Sequence, residues 1–196
     1  MKRSNRCWLL ALLAMPVLAL ARPDAVGVCA ECHGADGMGK GDSMIPVIAG
    51  IPAGHIEEAI YAYIDGARRC VREPRMCETV AGLDEDEVFA LADYFGSKER
   101  TALDQDYDEK LAAEGAALHE AHCGSCHVPP DDEEVGYAVG YPLHGQRREY
   151  LRFAIEAYLA GDREALLPAM AHELSELEPG DIGALVNYYA SYDPDR

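Results

Sequence analysis

The chain has 196 residues, with 17 lysines and arginines against 35 aspartates and glutamates, and its formal net charge is −18. So strong a negative charge argues against nucleic acid and anionic membrane surfaces as partners. It favours a positively charged protein partner or, as the alternative, serves solubility alone.

The first 21 residues are predicted to be a signal peptide. Lys2, Arg3 and Arg6 precede an apolar run over residues 8–21, which ends in small residues suited to a signal peptidase. The run is shorter than the roughly 20 residues of a spanning helix, although an uncleaved anchor is the alternative. No later segment is apolar enough to span a bilayer. We therefore expect an exported, periplasmic protein without stable membrane insertion.

Two pentapeptides of the form Cys-x-x-Cys-His follow, at residues 29–33 and 123–127. This spacing is the signature of covalent haem attachment. Paired cysteines could instead bind zinc, but a zinc site does not require a histidine directly after both pairs. We predict two covalently bound haem c groups. The predicted attachment residues are Cys29, Cys32, Cys123 and Cys126, and the predicted proximal iron ligands are His33 and His127.

The chain repeats one unit. His33 and His127 lie 94 positions apart, and so do Met76 and Met170. Each half runs from the motif through a helix and a methionine-bearing loop to a closing helix. Internal repeats of this kind indicate duplicated structural units. We predict two domains, at residues 22–98 and 99–196, with a polar linker over residues 97–106.

Apolar residues at helical spacing predict the elements of both halves. The stripes run over residues 56–64 and 88–95 in the first half, and over residues 150–158 and 182–189 in the second. Asp84 and Glu87 predict a capping box at the closing helix of the first half. A long helix over residues 104–122 is expected to lead into the second motif. No strand is predicted, so the fold class is all-α.

The sixth iron ligand decides between a carrier and an enzyme. Met170 is the only methionine after His127, whereas Met38, Met44 and Met76 all follow His33. The repeat register selects Met76, although methionines are more often ordinary core residues. A thioether fills the sixth position and raises the potential. We therefore predict that Met76 and Met170 are axial ligands, that no residue is catalytic and that the protein carries single electrons.

Two prolines follow the histidines of the motifs. The carbonyls of Pro46 and Pro142 are candidates to accept the Nδ1 protons of His33 and His127, as outer partners of metal-bound histidines do. Each proline is equally suited simply to shape its loop.

Cys70 and Cys77 are the cysteines of the exported chain that the motifs leave over. Disulfides persist outside the cytoplasm, so we predict a bridge that braces the Met76 loop. Chain-entropy arithmetic for so short a loop gives roughly 2–3 kcal/mol of stabilisation. Two unpaired buried thiols are the alternative.

Four arginines precede Met76 and form a predicted basic patch close to the first haem. Their alternative role is to neutralise haem propionates and nearby carboxylates. As a docking patch they would guide a redox protein to the haem. The four residues are Arg68, Arg69, Arg72 and Arg75.

The twin motifs with their methionines resemble the diheme class I cytochromes c of the c4 type. The first half carries the familiar start Cys29-x-x-Cys32-His33-Gly34-x-Asp36-Gly37. The resemblance implies two tandem cytochrome c domains related by a pseudo-twofold axis, each with a haem ligated by histidine and methionine.

The second half is also similar to the cytochrome subunit of flavocytochrome c sulfide dehydrogenase, over residues 115–119, at Val128, and over residues 144–151 and 170–177. That resemblance implies electrons taken from a sulfide-oxidising, FAD-containing flavoprotein. The alternative is a freestanding carrier that delivers electrons to a terminal oxidase. A diheme peroxidase or thiosulfate dehydrogenase is less favoured, because such enzymes need an open or displaceable iron ligand.

Overall fold

The computed structural model describes residues 24–193, and the predicted signal peptide lies outside that range. Within the described range the regular structure is helical, apart from one isolated β-bridge. None of the described helices is both long and apolar enough to cross a bilayer. The helices are α1 (Asp24–His33), α2 (Ala53–Ile64), α3 (Arg75–Val80), α4 (Glu85–Gly96), α5 (Glu109–Leu118) with a π-helical turn (His119–Cys123), α6 (Arg148–Leu159), α7 (Pro168–Ser175) and α8 (Asp181–Ala190).

Each half has its own apolar core. In the first half the core joins α1, α2 and α4, and the predicted α4 stripe is buried at all four positions: Val88, Leu91, Ala92 and Phe95. In the second half Leu151 of α6 packs with four residues of α8. The predicted capping box at Asp84 and Glu87 is present. The all-α prediction is confirmed, and each core supports the segment that bears its motif.

The helix before the second motif is shorter than predicted. It begins at Glu109 rather than near residue 104, because the Asp108 carboxylate accepts hydrogen bonds from the N–H groups of Lys110 and Leu111 and so caps it there. Residues 98–108 form no helix. They pack against the second half, where the Gln105 side chain donates to the Gln146 carbonyl.

The two halves meet about a pseudo-twofold axis. The Arg69 N–H donates to the Asp162 carbonyl at 2.7 Å, and the Glu164 N–H donates to the Ala67 carbonyl at 2.8 Å. The repeat relates these two bonds to each other, and they flank the antiparallel bridge between Arg68 and Arg163. The duplicated unit therefore packs on its own copy through equivalent backbone atoms. The domain boundary after residue 98 stays a prediction.

Candidate haem-binding sites

One continuous cavity of about 380 Å³ runs between the two halves. Residues of both motifs and both predicted methionine ligands line it. Cys32 does not line it and is exposed on α1. The repeat thus brings its chemical groups to one shared space rather than to two separate pockets. The predicted haem-holding residues on the cavity wall are Cys29, His33, Met76, Cys123, Cys126, His127 and Met170.

His33 ends α1 and is 7% exposed. Its Nδ1 lies 3.1 Å from the Pro46 carbonyl, so the neutral ring donates there, as predicted. Burial lowers the pKa of His33, and this hydrogen bond only partly opposes the effect. The imidazole therefore stays neutral with Nε2 free, which is the form that binds a metal ion.

His127 is held in the same way by a different carbonyl. Its Nδ1 lies 2.8 Å from the Tyr141 carbonyl, so the prediction of Pro142 was wrong. The loop between ligand and carbonyl follows a different path here, and the Pro142 carbonyl turns to Arg100 Nη1 at 3.4 Å. A Cβ at Gly140 would overlap the His127 ring. Burial lowers the pKa of His127, which keeps the ring neutral.

Met76 and Met170 lie on α3 and α7, each partly buried. Met76 packs against the core of the first half. Met44 also lines the cavity, in the loop that leads to Pro46 and so to His33. Met170 follows Pro168, which begins α7. The methionines chosen by the repeat register thus share the cavity with the histidines of their own halves.

The cysteines fall into two groups. Cys70 and Cys77 are joined by a disulfide with an S–S distance of 2.06 Å. The four motif cysteines take part in no disulfide among the described residues. Burial raises the pKa of the Cys29 and Cys123 thiols. The chain therefore keeps separate the thiols that can form thioethers from the pair that braces the Met76 segment.

Two arginines stand where the cavity crosses between the halves. The Arg68 guanidinium lies 5.4 Å from the ring centres of Tyr63 and Tyr141. Arg163 is 5% exposed and donates to the Tyr63 hydroxyl at 3.3 Å. Within residues 24–193 neither guanidinium forms an ion pair with a carboxylate. Charges withdrawn from water need counter-charges, so this site fits the propionate groups of haem.

Sequence analysis missed Arg163, although the repeat carries a signal for it. Arg68 and Arg163 each stand two residues after a glycine with positive φ, Gly66 and Gly161, that ends its helix. The other arginines of the predicted docking patch also make internal contacts. Arg72 Nε lies 3.4 Å from Asp162, and Arg75 Nε lies 2.7 Å from Glu73. The docking role of the patch stays a prediction.

Comparison with known proteins decides the family. No family model matches the chain. The thiosulfate dehydrogenase electron acceptor of Stutzerimonas stutzeri is 30% identical over 184 residues, which cover 87% of this chain and 81% of that protein. Cytochrome c4 of Pseudomonas aeruginosa is 28% identical over 92% of this chain and 94% of its own length. The chain belongs to the c4-type diheme cytochromes c.

Solved structures share the fold. Reduced recombinant cytochrome c4 from Pseudomonas stutzeri has a TM-score of 0.70 at 22% identity, and it covers 85% of this chain and 95% of its own. The as-isolated thiosulfate dehydrogenase TsdBA from Marichromatium purpuratum has a TM-score of 0.66 at 27% identity. That match covers 83% of this chain and 36% of the TsdBA chain. The c4-type cytochrome therefore has two tandem class I domains, two covalently bound haem c groups and an electron-carrying function.

Proposed function

We propose that this c4-type cytochrome accepts electrons in the periplasm from a thiosulfate-oxidising dehydrogenase and passes them on singly. Two relatives, from Stutzerimonas stutzeri and Thiomonas intermedia, bear the name thiosulfate dehydrogenase electron acceptor. The observation that carries the proposal is the shared cavity, because it brings the histidine and methionine of each half into one space between the halves. An electron that enters at one half then has a short path to the other.

The motif spacing and the cavity lining support the proposed roles of these residues. Cys29 with Cys32, and Cys123 with Cys126, carry the thioether bonds. His33 and His127 present Nε2 while their Nδ1 protons stay on backbone carbonyls. Met76 and Met170 fill the sixth positions with soft sulfur, which favours a high potential. Haem iron, when bound, supplies reversible one-electron oxidation and reduction.

The arginines between the halves are proposed to hold the haem carboxylates. Arg68 and Arg163 are related by the repeat and face the same cavity. A positive charge beside a haem favours the reduced, less positive iron, so both arginines support the function of an acceptor. The predicted absence of catalytic residues belongs to the same proposal, because a filled sixth position leaves no place for a reacting molecule.

The first experiment tests the electron donor. Oxidised cytochrome is mixed with a thiosulfate dehydrogenase and thiosulfate in a stopped-flow instrument, and haem reduction is followed by absorbance. We expect reduction that saturates with cytochrome and slows as salt rises, because the strong negative charge of the chain attracts a positively charged docking surface on the donor. Reduction no faster than with thiosulfate alone would contradict the proposed donor.

The second candidate donor is an FAD-containing sulfide dehydrogenase, which the resemblance of residues 144–146 and 170–171 favours. The same assay with that flavoprotein and sulfide compares the two donors directly, with sulfide alone as the control for chemical reduction. A higher second-order rate constant with the flavoprotein would transfer the assignment to sulfide oxidation. A terminal oxidase, as the predicted downstream acceptor, is tested by reoxidation of the reduced protein.

Separate substitutions test the sixth ligands. Met76→Ala and Met170→Ala should each remove about half of the near-infrared methionine-to-iron absorption of the oxidised protein. Each should also lower the midpoint potential of one haem by on the order of 100 mV, a part of the range that axial ligands span. Leu159→Ala, which alters an exposed residue at the end of α6 that does not line the cavity, is the control. An unchanged spectrum and midpoint in either methionine variant would refute that ligand.

A further inference from the structure

The two methionine-bearing segments are held in place by different means. In the first half the disulfide ends on Cys77, the residue next to Met76, and starts from Cys70. In the second half the repeat places Ala171 next to Met170 and Ala165 at the position of Cys70. The covalent tie thus exists in one copy of the unit and has no counterpart in the other.

The disulfide connects α3 to the junction between the halves. Cys70 directly follows Arg69, whose N–H donates to the Asp162 carbonyl at 2.7 Å. Cys77 Sγ lies 3.8 Å from the carbonyl oxygen of Arg68, which forms the bridge to Arg163. The segment that bears Met76 is therefore fastened to backbone that both domains hold.

The segment that bears Met170 depends on weaker contacts. None of the described residues of α7 is buried. A polar contact connects it to the residue that precedes the second motif, where His122 Nδ1 lies 2.9 Å from Glu173 Oε2. These side chains are 28% and 40% exposed, so water competes for the contact.

We infer that the Cys70–Cys77 disulfide is a positioning pair that keeps Met76 on its iron, and that Met170 is the methionine which yields first to an external ligand. The inference rests on the proposed assignment of both methionines as sixth ligands. An external ligand reaches the iron only when the methionine segment opens locally. A bridge across the segment reduces the conformations open to it and so disfavours opening. The second haem is then the centre that binds small nitrogen or sulfur ligands.

The test uses imidazole as the external ligand. It follows the near-infrared methionine-to-iron absorption of one methionine at a time. Met170→His leaves only the near-infrared absorption of Met76, and Met76→His leaves only that of Met170. Loss of the band on titration then gives a midpoint imidazole concentration for each methionine. We expect the midpoint for Met76 to be at least tenfold higher than that for Met170, a difference of about 1.4 kcal/mol.

Removing the disulfide should lower the Met76 midpoint and leave the Met170 midpoint unchanged, which abolishes the difference between them. In the Met170→His background, the double change Cys70→Ser with Cys77→Ser should lower the Met76 midpoint about tenfold. In the Met76→His background the same pair of changes should leave the Met170 midpoint within twofold. Glu173→Ala is the matched variant in the second half, since it removes the carboxylate that contacts His122 and should lower the midpoint for Met170 alone.

Three outcomes would overturn the inference. Equal midpoints for the two methionines with the bridge intact refute it without any cysteine variant, and so does an unchanged Met76 midpoint after the bridge is removed. A missing methionine band in the Met170→His protein before imidazole is added shows instead that Met76 is not a ligand. That result refutes the ligand assignment and the inference together, and it differs from a band that is present but insensitive to the bridge.

Discussion

The two halves of the molecule repeat one unit but differ in the buried residues of the core that supports their predicted haem ligands. The core of the first half is apolar, with Val26, Leu91 and Phe95 almost completely buried. Of the six buried polar or charged residues in the described chain, only His33 belongs to the first half. The other five are His119, His144, Gln146, Arg163 and Asn187.

The polar core of the second half is a connected network. His119 Nδ1 lies 3.0 Å from the Tyr189 hydroxyl, and His144 Nε2 lies 3.2 Å from the Tyr188 hydroxyl. The two imidazole rings meet edge to face at 4.9 Å. His144 Nδ1 is buried and has no hydrogen-bond partner among residues 24–193. The same set of ligands is therefore supported by an apolar core in the first half and by a core with two further buried imidazoles in the second, and those imidazoles add groups that can take up protons.

The largest expected effect is acid destabilisation of the second half. Burial, with the neighbouring His119 and Arg100, lowers the pKa of His144 to about 3. An unfolded histidine has a pKa near 6.5, so between these values the unfolded state binds the extra proton. Stability is then complete above about pH 6.5 and falls by about 1.4 kcal/mol per pH unit as the pH drops towards 3. His144 alone should cost about 3 kcal/mol at pH 4.

Denaturant unfolding followed by circular dichroism at pH 8 and pH 4 measures this loss. His144→Gln keeps a neutral polar side chain that cannot take the proton. On acidification the free energy of unfolding of the wild type should fall by about 3 kcal/mol more than that of this variant. At pH 8 the two proteins should differ only through altered packing at residue 144. Equal losses in both proteins would show that His144 does not make the second half acid-sensitive.

The next effect concerns helix packing. Gly115 on α5 faces α8 so closely that a Cβ would overlap the Ala184 carbonyl oxygen. A Cβ at Gly27 on α1 would meet no other described residue within 4 Å. We expect Gly115→Ala to destabilise the second half by about 2 kcal/mol, because overpacking forces the helices apart. Gly27→Ala should be neutral or stabilise by up to about 1 kcal/mol through helix propensity. Thermal unfolding compares them, and similar melting temperatures would contradict the close approach.

The comparison of the halves also shows what sequence patterns can predict. The α4 stripe, the capping box and the Pro46 carbonyl follow from local spacing, and the structure has each of them. The Tyr141 carbonyl was not predictable, because one residue of loop path decides which carbonyl meets His127. The start of α5 was placed too early because the apolar spacing said nothing about the cap at Asp108.

Tertiary packing decides the rest. Arg163 becomes part of the site because the pseudo-twofold contact places it against Tyr63 of the other half. His119 and His144 are distant in sequence and belong to no motif. Only the structure, in which their ring centres lie 4.9 Å apart, shows that they form one network. Contacts between copies of a repeat are set by how the copies pack, which neither copy encodes alone.

The smallest expected effect concerns the N-terminal caps of α4 and α8, the closing helices of the two halves. In α4 the Asp84 carboxylate accepts from the Glu87 N–H at 2.9 Å, and the Glu87 carboxylate accepts from the Asp84 N–H at 3.2 Å. Glu178 is the repeat equivalent of Asp84. At α8 only the second of these two hydrogen bonds is present, from the Glu178 N–H to the Asp181 carboxylate at 2.7 Å. Asp84→Ala should therefore cost about 1 kcal/mol of stability.

Two matched variants isolate the cap. Asp84→Asn keeps an accepting oxygen and should retain most of the stability, while Glu178→Ala should change it by less than about 0.5 kcal/mol because that side chain does not cap its helix. Hydrogen exchange of the first-turn amides of α4 and α8 adds a local reading, with faster exchange expected only in α4 of Asp84→Ala. An equal loss of stability in Asp84→Ala and Glu178→Ala would mean that the two side chains stabilise α4 and α8 to the same extent. The halves would then differ in their cores alone.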